Sequence, residues 1–99
     1  MTPFDEFKKR NIGRLVQFVP IVARVHGESH PEFHEVRKLF DVISAKVKAS
    51  GSEKPDLDNE LSQLRETTAH YTVPGDVCES YEAVYKMLAE LDEAYQHSK

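Results

Sequence analysis

Cysteine occurs once in this chain, at Cys78, and tryptophan is absent. A single thiol excludes an internal disulfide and a cysteine-pair zinc motif, so packing alone must hold the fold. The acidic start Met1-Thr2-Pro3-Phe4-Asp5-Glu6 stands where a signal peptide would be positive and then apolar, and the two features together predict a cytoplasmic protein. A basic excess is missing as well: 13 Lys and Arg against 17 Asp and Glu give a formal net charge of −4, which argues against a general binder of nucleic-acid backbones. Long apolar runs are missing too. Leu15 to Val25 is interrupted by Gln17, Pro20 and Arg24 and falls short of the about 18 residues a membrane span needs. There is no glycine-rich phosphate loop and no Ser or Cys nucleophile in a recognisable setting, so no catalytic residue is assigned.

Ninety-nine residues are enough for one domain, spanning residues 1–99, and leave no room for a second core. Hydrophobic residues make up 39%, below the typical about 45–50%, which implies a core that is modest or shared with a partner. Only 4 Gly and 5 Pro interrupt the chain, and they fall where helices start or stop. Thr2 with Pro3, Asp5 and Glu6 reads as a helix start, and Phe4, Phe7, Leu15, Val19 and Val22 form its apolar stripe. Pro20 inside that stripe predicts a kink or two helices in series, with Gly27 as a left-handed stop.

Ser29 and Glu32 stand at capping-box spacing with Pro31 in the first turn, predicting a second helix from Ser29. Val36, Leu39, Phe40, Ile43 and Val47 mark its inner face and Gly51 its end. A polar loop follows from Ala49 to Pro55. Asp56 or Asp58 then starts a third helix carrying Leu57, Leu61, Leu64, Thr68 and Tyr71 inward. A fourth, starting near Pro74 with Asp76 in its first turn, buries Val77, Tyr81, Val84, Leu88, Leu91 and Tyr95 and runs almost to the end. Helices joined by short loops pack as antiparallel neighbours, so the expected fold is all-α, a small up-and-down helical bundle.

One segment carries the candidate chemistry. Between Val25 and Glu35 lie His26, His30 and His34 together with Glu28, Glu32 and Glu35, three of the 5 histidines with three carboxylates. Imidazole and carboxylate form the ligand mixture of zinc and non-haem iron, and bundles build such sites from inward helix positions. At about 100° per residue, Glu32 and Phe33 fall on the inner sector of the second helix, His30 and Glu35 on its flanks and His34 opposite. His26 lies one turn beyond Val22 on the first stripe. The candidate ligands are therefore His30, Glu35, His26 and Glu32. The same residues also have a purely local reading, with Glu32 in the capping box, His30 in a first turn and His26 at a helix C-terminus. Outside this cluster, His70 and His97 read as surface histidines and the tyrosines as packing. Cys78 falls in the first turn of the fourth helix, where the dipole would favour a thiolate, and at the edge of the apolar stripe, where it reads as a small buried residue.

The segments from Leu39-Phe40-Asp41-Val42-Ile43 through Tyr71-Thr72-Val73-Pro74-Gly75-Asp76-Val77-Cys78 to Tyr85 and Leu91 resemble the later helices of the hemerythrin-like iron–sulfur cluster repair proteins, the RIC family (also called YtfE, ScdA or DnrN). The resemblance covers roughly residues 28–97 and implies a partial hemerythrin-like bundle. In that family a His near the start of the third bundle helix, with a following carboxylate, ligates a non-haem di-iron centre; Glu28, Ser29, His30, Glu32 and Glu35 stand at the corresponding place. The pattern is incomplete here. The first thirty residues hold no histidine before His26, the family's Cys-Cys segment is absent, and the Glu that follows the last-helix His does not occur after His97, itself about one residue out of register. By the family's pattern one copy does not supply a full di-iron site, which leaves a homodimer, a helical partner protein or a loss of metal binding. The resemblance thus implies a stress-response repair protein that handles or supplies iron for damaged clusters, with iron–sulfur proteins as clients. The rival expectation is a non-catalytic helical interaction module in which the histidines are incidental.

Overall fold

The computed structural model describes residues 2–51, 53–75 and 77–98. The described residues are 76% helical and form no strand, giving the expected all-α bundle. It is built from α1 (Pro3–His26), α2 (Glu32–Ser50), α3 (Asp58–Thr67) and α4 (Glu79–His97). α1 packs against both α4 and α2, and α2 packs in turn against α3.

α1 begins as its first residues dictate. The Thr2 side chain accepts the Asp5 N–H at 3.1 Å, the Asp5 carboxylate accepts the Thr2 N–H at 3.5 Å, and Pro3 occupies the first turn, where its missing donor is not needed. Of the two outcomes expected from Pro20, a kink or two helices in series, the second does not form: a single helix runs through it. Leu15 and Val19 before the proline and Val22 and Ala23 after it are all buried in one core, so burial on both sides outweighs the one lost backbone hydrogen bond. Gly27 corrects a second expectation: its φ of −60° is right-handed, and its N–H donates to the Ala23 carbonyl at 2.9 Å. Glycine is needed here for space, because a Cβ would overlap the Ala23 carbonyl oxygen and the His34 ring.

α2 starts at Glu32, later than the capping box placed it, with Pro31 at the N-cap and no side-chain cap. The reciprocal half of the expected box is also unmade, since the Glu32 carboxylate lies 3.1 Å from His30 Nδ1. Phe33, Val36, Leu39, Phe40, Ile43 and Val47 are buried as the spacing requires, and Gly51 ends the helix with a positive φ of 59°.

α3 buries Leu61 and Leu64 behind Leu57, and Thr68 closes it through its hydroxyl to the Leu64 carbonyl at 2.7 Å. Ala69, His70 and Tyr71 then take φ values of 50°, 62° and 61°, three consecutive left-handed residues without a glycine. α4 begins at Glu79, not near Pro74, so Cys78 is its N-cap residue rather than a member of its first turn. Asp76, expected in that first turn, lies outside the described residues. Tyr81, Val84, Tyr85, Leu88, Leu91 and Tyr95 are buried, while Tyr71 and Val77 are only half-buried. The antiparallel pairing of α1 and α4 is fixed at both ends: the Phe4 N–H donates to Ser98 Oγ at 3.0 Å, and His26 meets Cys78 at the other end.

Candidate functional site

The turn between α1 and α2 brings the C-terminus of one helix and the N-terminus of the next to the start of α4, and the three meet around Tyr81. His26 ends α1; the His30 N–H donates to the His26 carbonyl at 2.8 Å, which folds the connection back on itself. The Tyr81 ring is fully buried and surrounded: His26 and His30 each meet it edge-on with centroids 5.4 Å away, and Phe33 and Tyr85 lie at 4.9 Å. Its hydroxyl is 3.4 Å from Glu32 Oε1 and 3.2 Å from the Tyr85 hydroxyl. Burial, reinforced by the Tyr85 hydrogen bond and the Glu32 charge, raises the Tyr81 phenol well above its ordinary value. Burial likewise raises Tyr85, with the Glu32 carboxylate adding to it.

Two donor pairs rim this buried phenol. His30 Nδ1 lies 3.1 Å from Glu32 Oε1, with the imidazole 14% and the carboxylate 37% exposed. His26 Nε2 lies 3.0 Å from Cys78 Sγ, joining the half-buried end of α1 to an exposed thiol. Three of the four sequence candidates, His26, His30 and Glu32, thus gather about one residue. Glu35 is exposed on the first turn of α2. His34 is also exposed, with its ring over Gly27. His70 and His97 are exposed, as their sequence positions suggested, and His97 lies 4.0 Å from Glu93.

Sequence reasoning missed Cys78 as a member of this end of the bundle. The signal was present in its position ahead of an aromatic helix, but placing the helix start near Pro74 turned the thiol toward the core. It likewise missed the polar anchors elsewhere. Asp92, 5% exposed, accepts from Arg65 at 2.8 Å and from the Tyr71 hydroxyl at 2.7 Å, and the buried Glu60 accepts from Lys46 at 2.9 Å. These pairs fasten α3 and the loop after it to α4 and α2.

The donor chemistry suits a transition metal, whereas the number of donors does not. Imidazole and carboxylate are proper ligands for non-haem iron, yet among the described residues no three His, Cys, Asp or Glu side chains are grouped so as to hold one ion. The described residues of one chain therefore do not gather the ligand set of a di-iron centre. Nor is any helix of the described residues long and apolar enough to cross a membrane. No protein-family model, curated protein or solved structure matches this chain.

Proposed function

We propose that this protein handles non-haem iron in the repair of damaged iron–sulfur clusters, contributing part of an iron-binding site that a second chain completes. The observation that carries this reading is the His30–Glu32 pair at 3.1 Å, partly exposed, with His26 on the same Tyr81 ring. His30 and Glu32 supply an imidazole nitrogen and a carboxylate oxygen, and His26 supplies a second imidazole. The exposed Glu35 carboxylate is available to an ion at the bundle surface. The resemblance of residues 28–97 to the RIC repair proteins supports the reading from the sequence side and names the clients as iron–sulfur proteins.

The buried Tyr81–Tyr85 pair has a structural part in this. Tyr81 supports Glu32 and both imidazoles from beneath, so the donors rest on a fixed aromatic floor. Iron analysis of protein purified without oxygen, followed by Fe(II) titration, tests the proposal: bound iron that is lost in His30→Ala supports it. Protein that rejects Fe(II) at micromolar levels, roughly the level of weak specific sites, favours a second reading.

That second reading is a helical interaction module, and a specific observation favours it. Val25 is 62% exposed, Val42 44%, Val16 42% and Ile21 39%, which leaves apolar surface on α1 and α2 beyond what the bundle covers.

A further inference from the structure

We propose that His26 and Cys78 form half of a thiolate–imidazole site for a thiophilic divalent cation, of which zinc is the type, and that a second copy of this chain supplies the identical other half. The inference goes beyond iron handling: it shares His26 with that reading but rests on Cys78, which that reading does not use, and needs neither His30 and Glu32, the pair that carries it, nor Glu35.

The pair is bidentate by construction. His26 Nε2 and Cys78 Sγ are 3.0 Å apart although 52 residues separate them, because α1 ends where α4 begins. In a tetrahedral zinc site, with Zn–N near 2.0–2.1 Å and Zn–S near 2.3 Å, neighbouring nitrogen and sulfur donors stand about 3.6 Å apart. Opening the pair by about half an ångström, within reach of side-chain rotation alone, gives that spacing. Neither donor must be dug out of the core, since the thiol is exposed and the imidazole sits at the rim.

Two donors are half of what zinc takes, and no third is grouped with them among the described residues. A two-fold dimer doubles every surface group, so two copies meeting at this end give two nitrogens and two sulfurs, a tetrahedral set suited to zinc. The surface beside the pair suits such a meeting. Val25 precedes His26 directly and Ile21 lies one turn earlier on the same helix; both are exposed, and both would be buried against their symmetry mates. The binding step balances simply: one Zn(II) displaces the two thiol protons to water and is held by two thiolates and two neutral imidazoles.

The test is the mass of the full chain by light scattering in a non-thiol reductant, in chelator and then with Zn(II) added to one ion per two chains. The expected result is a doubling of mass complete at half an equivalent and reversed by chelator. Co(II) in place of zinc should give an intense thiolate-to-metal absorption band. Cys78→Ser, Cys78→Ala and His26→Gln, each with its helical signal checked by circular dichroism because the pair also joins α1 to α4, should remain at the monomer mass, while His30→Ala should still dimerise. A mass unchanged by zinc, a dimer already present in chelator, or zinc-dependent doubling retained by both Cys78 variants would overturn the proposal. Its failure leaves the iron reading untouched, and failed Fe(II) binding leaves this one untouched.

Discussion

Tyr71 donates its hydroxyl hydrogen to Asp92 Oδ2 across 2.7 Å, tying the loop after α3 to the last third of α4. Asp92 is already the acceptor for Arg65, so this one carboxylate holds α3, its following loop and α4 together. The anchor is needed because Ala69, His70 and Tyr71 are all left-handed, a conformation costing about 1–2 kcal/mol per residue without glycine. Tyr71→Phe should destabilise the fold by about 1–3 kcal/mol, since it leaves a buried carboxylate short of one donor. Chemical denaturation checks the size. Amide exchange in residues 69–75 should rise in the variant while exchange in α1 stays slow.

Alkaline pH probes the phenols. Burial raises Tyr71, with the Asp92 hydrogen bond adding to it, and burial raises Tyr81 and Tyr85. A phenol whose folded value is raised keeps its proton in the native state after the unfolded chain has lost it, so native stability is unaffected below about pH 10 and falls as pH rises beyond it. Absorbance titration should show these three tyrosines resisting ionisation until the chain unfolds. Ionisation of all the tyrosines near pH 10 with the helical signal intact would contradict their burial.

Core packing gives a third expectation. Phe40 is 2% exposed on α2, and Phe40→Ala should cost about 3–5 kcal/mol. Val42, 44% exposed on the same helix, should tolerate Val42→Ser within about 0.5 kcal/mol. Equal losses from both would mean that the helix is turned on its axis relative to this fold.

Metal ligands must be deprotonated to bind, so Fe(II) or Zn(II) should raise the melting temperature near pH 7.5 and much less near pH 5.5, both values flanking the ordinary histidine range about pH 6.5. The Fe(II) shift should disappear in His30→Ala and survive in His34→Ala, whose exposed ring lies over Gly27, away from the Tyr81 cluster. Equal losses from both variants would place the ligands elsewhere.

The inner faces were legible because helical spacing reports burial directly: Val36, Leu39, Phe40, Ile43 and Val47 recur at the helical period and all are buried. The ends of helices were less so, because several groups compete for each cap. Ser29 and Glu32 have the spacing of a capping box, but Glu32 turns to His30 and Tyr81, which no local pattern encodes. Pro20 reads as a break only when its single lost hydrogen bond is weighed without the four buried residues that flank it. Of the site, His26, His30 and Glu32 were legible from composition and phase. The Cys78 contact was not, since it depends on α4 starting at Glu79 and on a left-handed turn that no glycine marks. Asp92 and Glu60 were hidden for a related reason: each is a carboxylate on a buried face, intelligible only once Arg65 and Lys46 are in place.

The measurement that bears most directly on iron handling is anaerobic titration of the metal-free chain with Fe(II), followed by equilibrium dialysis and repeated on His30→Ala. The expected result is saturable binding at micromolar Fe(II) or tighter, about −8 kcal/mol or more favourable, with a stoichiometry below one iron per chain because a second chain completes the site, and its loss in His30→Ala. Iron bound equally by His30→Ala, or no iron bound at micromolar concentration, would contradict the account.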